Sequence, residues 1–334
     1  MPKSKPKLYP ANQCALYKIG SKARLAKVLG TTVEHLVLLT RSQSNYRSFE
    51  LPKETCPFTN KVTKARWVQE PKPELRRIHE RIQKLLRRVV PPTYAHAATK
   101  GRSYCSNAIA HKSGVRVATF DIRKFYPSTL KSHIFNFFAD QLRCAPDVAA
   151  LLASLVCYTN PSSPDRPGLP TGSPLSPILS LFANKPLFDE LNDLALSNGL
   201  TFTCYVDDLT FSGDSLPAGL THFVTVFLKK HGHLLSEKKT RIFSAHQAKH
   251  VTGVVINKSN IYVPHSRFMK ARAISAAIDA EKQASGKLPL IQKLAGLLGE
   301  AAFLDKRYAT WAKRSYSKLK VVKESAEKEQ FAKI

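Results

Sequence analysis

The chain lacks any apolar run long enough to cross a bilayer. The longest, residues 148–158, is far short of the roughly 20 residues a membrane helix needs. No apolar segment follows the Lys-rich start as it would in a signal peptide, so a cytoplasmic protein without a membrane partner is expected. Cys-x-x-Cys pairs are also missing. The six cysteines, Cys14, Cys56, Cys105, Cys144, Cys157 and Cys204, are scattered and read as reduced thiols. His246 and His250 have i,i+4 spacing, but no Glu or Cys completes a zinc site, so they read as surface residues. Internal repeats are absent. Negative charge is scarce: 24 acidic residues face 52 basic ones, a formal charge of +28. Such an excess implies a polyanionic partner, with nucleic acid the first candidate.

With 334 residues, 43% of them hydrophobic, the chain can build two or three packed subdomains. Its scarce acids are concentrated. Residues 121–214 hold ten acidic and six basic side chains, net −4, which leaves +32 on the rest. Within that segment Tyr205-Val206-Asp207-Asp208 lies between apolar runs at 201–206 and 209–212, the pattern of a hairpin turn. Turns of that kind normally carry Gly or Asn, and two adjacent carboxylates repel each other there. A hard divalent cation would compensate. A third carboxylate, Asp121, ends the alternating run Val115-Arg116-Val117-Ala118-Thr119-Phe120. If the two strands are neighbours, three carboxylates meet at one sheet edge, the minimum for two-metal phosphoryl transfer.

Residues 1–20 are Lys- and Pro-rich, with poor order expected at the start. Residues 21–29 read as a helix, and Thr31 with Glu34 as a capping box opening another to Leu39. Residues 49–53 and 66–69 read as strands joined by a loop. A helix over 74–90 follows, apolar at Leu75, Ile78, Ile82, Leu85 and Leu86 and basic at Arg76, Arg77, Arg81, Lys84, Arg87 and Arg88; a solvated charged face is the default reading. Further helices are predicted over 130–138, 147–158, 176–196 (irregular at Pro186) and 222–231. Residues 160–167 read as a loop, and 252–257 with 261–263 as a strand pair. Leu290, Leu294, Leu297, Ala301, Leu304, Tyr308 and Trp311 line one face of a C-terminal helical stretch.

The motifs carry a family resemblance. Phe120-Asp121-Ile122-Arg123-Lys124-Phe125-Tyr126-Pro127-Ser128 resembles the first catalytic motif of reverse transcriptases. Gly168-Leu169-Pro170-Thr171-Gly172-Ser173-Pro174-Leu175-Ser176-Pro177 resembles their second, and Tyr205-Val206-Asp207-Asp208 their third. Asn107-Ala108-Ile109-Ala110-His111 and Val251-Thr252-Gly253 are similar to two signatures of retron reverse transcriptases. The resemblance implies an α+β right-hand polymerase: an N-terminal helical extension at 1–40, fingers at 41–112, a palm at 113–258 with a fingers insertion at about 130–167, and a helical thumb at 259–334. It implies two Mg2+ ions, with Mn2+ as a substitute, on Asp121, Asp207 and Asp208. Lys239, or its neighbour Lys238, would protonate pyrophosphate.

By the same resemblance Lys53 and Arg66 would hold the triphosphate and Tyr126 would exclude a ribose 2′-OH. Thr171 and Gly172 would line the nucleotide site, and Asn107, His111, Val251, Thr252 and Gly253 would contact RNA. The implied partners are deoxynucleoside triphosphates, a cognate non-coding RNA serving as template and primer, its RNA–DNA product, and a retron effector protein in a bacterial cytoplasm. Priming from an internal guanosine 2′-OH would give a branched product used in anti-phage defence. Thr171 departs from the Gln common in the family, Val206 from the Ala common in retron enzymes, and Ser236 from a frequent Asn. Two alternatives remain at this level: a reverse transcriptase of group II intron or abortive-infection type, and a non-catalytic RNA-binding scaffold on a polymerase fold. The intact aspartate set argues against the second.

Overall fold

The structure, a computed structural model, describes residues 7–42 and 44–331. The expectation of a poorly ordered start falls partly on residues 1–6, outside the described residues. From Tyr9 onward the segment is packed: the Tyr9 amide donates to the Arg88 carbonyl at 3.0 Å, and Leu16 and Ile19 are fully buried.

Ser21 caps α1 (Lys22–Leu29) by accepting from the Arg24 amide, and Gly30 ends it at a φ of 73°. Thr32, not Thr31, caps α2 (Val33–Arg41), accepting from the His35 amide. The Thr31 hydroxyl instead meets His35 Nδ1, so the expected Thr31–Glu34 box does not form. β1 (Tyr46–Leu51), a small hairpin of β2 (Glu54–Thr55) and β3 (Val62–Thr63), and β4 (Arg66–Pro71) follow. β1 pairs antiparallel with β4 from Tyr46↔Pro71 to Leu51↔Arg66. α3 (Pro73–Leu86) starts on a proline at its first turn and stops short of residue 90, because a turn from Leu86 to Val89 precedes Pro91-Pro92.

Next come α4 (Tyr104–Ala110), β5 (Arg116–Asp121), α5 (Phe125–Ser128), α6 (Lys131–Asn136) and α7 (Pro146–Val156). Residues 160–167, expected to be a loop, belong instead to a hairpin of β6 (Tyr158–Asn160) and β7 (Ser163–Gly168). Its prolines are tolerated because the sheet is two-stranded and each strand keeps an open edge. The predicted irregularity at Pro186 is a break between α8 (Ser176–Ala183) and α9 (Lys185–Ser197). β8 (Thr201–Tyr205), β9 (Asp208–Gly213), α10 (Leu220–Lys230) and β10 (Arg241–Phe243) complete this part.

The chain divides into two compact units. One holds the described residues up to Leu51 together with Arg66–His246; the other holds Pro52–Ala65 and the described residues from Gln247 on. Inside the first, α1 and α2 share one core with α3, α6, α7 and α8. A second core fills one face of an antiparallel sheet of order β10-β5-β9-β8. Alternation decides the faces. Ala118, Phe120, Phe202, Cys204, Leu209 and Phe211 pack on Leu187, Phe188 and Leu191 of α9 and Val224 of α10. Thr119, Asp121, Thr203, Asp208, Thr210 and Ser212 share the other face.

The second unit begins its C-terminal part with β11 (Lys249–Val251), β12 (Val254–Asn257) and β13 (Asn260–Tyr262), a three-stranded sheet where two strands were expected. α11 (His265–Ala280), α12 (Ala284–Leu304) and α13 (Ala309–Phe331) follow. The predicted continuous stripe is broken at Asp305, whose carboxylate caps the turn that restarts the chain at Arg307. Phe58, from the turn between β2 and β3, packs into the core of these helices, with Lys293 Nζ 5.3 Å from its ring centre.

Candidate active site

β5 and β9 run antiparallel in a register that sets Asp121 directly opposite Asp208, on the polar face of the sheet. Paired positions of this kind bring Cβ atoms within about 5 Å. β8 and β9 are joined by a two-residue turn, Val206-Asp207, and the Asp207 carbonyl accepts from the Ile122 amide at 2.9 Å. The sequence expectation of three carboxylates meeting at one edge is therefore realised, with Asp208 on the strand and only Asp207 in the turn. Val206 has a φ of 61°, a left-handed conformation that a β-branched residue adopts only under strain of about 1–3 kcal/mol. The turn is thus held by the strands on either side.

The electrostatics show excess negative charge. Partial burial, together with Asp207 and Asp121, raises the Asp208 carboxyl to about 7. Burial and Asp121 raise Asp207 as well. A cation already answers this field. Residues 234–239 run beside β5: Ile122 bridges Leu235, and the Ser236 amide donates to the Asp121 carbonyl at 2.8 Å. Lys239 Nζ thereby reaches Asp121 Oδ2 at 2.6 Å, and that bond holds the ammonium's pKa above its ordinary value. Lys238 makes no such contact with the aspartates. Among the described residues no three His, Cys, Asp or Glu side chains close into a cation cage. A donor set of carboxylate oxygens alone suits a hard, Mg2+-like ion, which keeps waters and takes its remaining ligands from substrate phosphates. The residues present fit such an ion.

Tyr126, at the start of α5, is partly buried between the two cores; burial first, then Asp207, raises its phenol. The second motif is tied to it. The Leu169 amide donates to the Tyr126 carbonyl at 3.1 Å, and Gly168 lies so close to the Pro127 carbonyl that a side chain there would clash with it. The other end of the motif binds β4: the Gly172 amide donates to the Gln69 carbonyl at 3.0 Å, and the Thr171 hydroxyl lies 3.1 Å from Gln69 Oε1. A Cβ on Gly172 would sit 2.7 Å from the Gln69 carbonyl oxygen. The glycine is therefore needed where β4 presses on the loop.

Two residues that hold this loop were not anticipated. Gln69 was legible only as the end of a strand, with no signal of this contact. His79 gave one, as a polar residue on the apolar face of α3; it is fully buried, its Nε2–H donating to the Leu155 carbonyl at 2.9 Å and its Nδ1 2.7 Å from the Ser173 hydroxyl.

Other expected site residues lie elsewhere. Asn107 and His111 are fully buried. His111 Nδ1 and Nε2 each lie 2.7 Å from a hydroxyl, Ser212 on β9 and Thr203 on β8. Neither side chain faces solvent, and His111, at the end of α4, joins that helix to β8 and β9. Arg66 is exposed at the start of β4, and Lys53 is exposed in the second unit. Also in that unit, Val251 is buried, and Thr252 and Gly253 form the turn between β11 and β12 with φ values of 44° and 79°.

The reverse transcriptase (RNA-dependent DNA polymerase) family matches residues 44–256. Among curated proteins, the retron Se72 reverse transcriptase of Salmonella heidelberg is 29% identical over 75% of this chain, although the match covers only 59% of that relative. The retron Ec86 reverse transcriptase of Escherichia coli is 24% identical over 75% of both chains. The retron Ec83 reverse transcriptase of the same species is 25% identical over 87% of this chain and 94% of its own. With paired aspartates, a lysine bound to one of them and a family match across most of its length, the chain belongs to the reverse transcriptases, the RNA-dependent DNA polymerases.

Proposed function

We propose that this chain is a retron reverse transcriptase that copies a cognate structured non-coding RNA into DNA, primed from an internal guanosine 2′-OH, to give a branched RNA–DNA. The observation that carries the polymerase reading is the Asp121–Asp208 register with Asp207 in the adjoining turn. The retron assignment rests on the relatives it resembles. In the right-hand arrangement, the four-stranded sheet is the palm, β1, β4 and α3 belong to the fingers, and α11–α13 form the thumb. Reverse transcriptases generally use divalent metal ions. Two Mg2+ on Asp121, Asp207 and Asp208 would favour ionisation of the attacking hydroxyl and neutralise charge on the transferring phosphate.

The protein's own groups do the rest. Asp121 keeps Lys239 protonated and aimed at the site, so Nζ can donate its proton to the departing pyrophosphate. Tyr126 walls the sugar site against a 2′-OH. Gln69 holds Thr171 and Gly172, and His79 holds Ser173, beside the nascent base pair. Lys53 and Arg66 offer charge to the triphosphate, and the Thr252-Gly253 turn offers backbone to the RNA. A retron effector protein and a part in anti-phage defence complete the proposal.

The test is primer extension on an RNA template. Asp207→Asn preserves shape and removes one ligand charge; activity is expected to fall at least about 100-fold. Wild-type extension by this variant would overturn the assignment.

A further inference from the structure

The polymerase site does not use the basic surface where α1 meets α3. Arg77, Arg81 and Lys84 follow one another at i, i+4 and i+7 on α3, and Arg88 lies just past its end. The four span about 16 Å at 1.5 Å per residue. Arg81 is the hinge of the surface: its Nε donates to the Val28 carbonyl at 3.0 Å, fastening α3 to the last turn of α1. This brings Arg24 and Lys27 of α1 alongside, both exposed and lining an open recess of about 580 Å3 with Ala23 and Val28.

None of these six cations has a carboxylate within ion-pair distance among the described residues. The two acids of α3 are engaged elsewhere, Glu74 with His35 at 3.7 Å and Glu80 with Arg76 at 2.9 Å. Like charges one turn apart cost a helix a few tenths of a kcal/mol per pair. A polyanion laid across the seam would reverse that cost.

The kind of polyanion follows from what accompanies the charges. Membrane-surface helices set exposed Trp, Phe or Leu beside their cations. Here Leu75, Ile78, Ile82, Leu85 and Leu86 are all buried in the core. Sites for single-stranded nucleic acid supply aromatic rings on which bases stack. α1 and α3 expose none; their one ring side chain, His79, is buried, and the ring beside Arg88, Tyr9, is half-buried, with that guanidinium over it at 5.0 Å and its hydroxyl donating to the Leu85 carbonyl. Fixed cations on two fastened helices, without stacking groups, suit the regular phosphates of a duplex, which proteins read through shape and backbone.

We infer that the α1–α3 seam docks a base-paired RNA stem, away from the polymerase site. The inference deepens the reading of a structured RNA partner and rests on it. The test uses the full chain and a labelled RNA hairpin with a fully paired stem, an unpaired RNA of equal length, and phosphatidylserine vesicles. The variant is Arg24→Gln/Lys27→Gln/Arg77→Gln/Lys84→Gln, which spares the structural Arg81. Hairpin affinity should fall at least about tenfold near 0.1 M salt, and the slope of log affinity against log salt should flatten by about 3.6, roughly 0.9 for each cation removed. Affinity for the unpaired strand should change less than about threefold, and extension of a DNA primer annealed to RNA should stay near wild type.

Unchanged hairpin affinity, equal loss on both RNAs, or binding to vesicles through these residues would each overturn the inference. If the fourfold variant does not fold, Arg77→Gln and Lys84→Gln singly should each flatten the slope by about 0.9, and no change in either overturns it equally. Failure of the wild-type chain to extend a primer would sink the polymerase reading alone, since the binding comparison does not use that activity.

Discussion

Single residues here carry their function through what touches them. Tyr126 stands five positions after Asp121, and the second motif bonds to its carbonyl. If it walls the sugar site, Tyr126→Ala should raise ribonucleotide use relative to deoxynucleotide by about tenfold or more, read from single-nucleotide incorporation kinetics; unchanged discrimination would refute the role. His111 shows the opposite case. Burial lowers its pKa to about 3, so the fold holds it neutral while the unfolded chain binds a proton below about 6.5. Its contribution to stability is therefore complete above pH 6.5 and lost as pH falls toward 3, by about 3 kcal/mol at pH 4. Denaturant titrations of wild type and His111→Gln should show a shallower acid loss in the variant. His111→Ala should lower ordinary primed extension and branched-product synthesis together, since a buried residue reads no RNA. Loss of the branched product alone would restore the recognition role.

Among the elements, the strands that carry the aspartates were legible. Alternation over 115–121 and the apolar runs around Tyr205-Val206-Asp207-Asp208 identified β5, β8 and β9, because a sheet with one apolar face writes a period of two into each strand. The β6–β7 hairpin was missed because Pro164 and Pro167 argue for a loop, and only an open edge makes them acceptable. The second motif was legible as a Gly- and Pro-rich segment, but the contact that requires Gly172 was not. The structure places β4 against it, so Gly172→Ala should push that strand away and cost about 1–3 kcal/mol in stability, with a raised KM for the incoming nucleotide. Thermal melts and steady-state kinetics check both parts. A variant with wild-type values would mean that β4 yields freely.

At the scale of the whole molecule, charge dominates. With +32 outside the acidic centre, RNA affinity should fall linearly in log–log form as salt rises, with a slope of about −0.7 to −0.9 per phosphate contacted. Fluorescence anisotropy over a salt series measures it, and a flat response would remove electrostatics as the main source of affinity.

The sequence by itself determined the acidic centre in a basic chain, the order of the three catalytic-type motifs, and the alternation that sets Asp121 and Asp208 on one strand face each. All of these are local patterns, fixed by neighbours a few residues apart. Tertiary structure alone decided that Lys239 and not Lys238 reaches Asp121, 118 positions away, and that His111 is spent on Thr203 and Ser212. It also decided that Pro52–Ala65 joins the C-terminal unit through Phe58. Contacts across such separations depend on how cores pack and which face each element buries, and no short window of sequence contains that information.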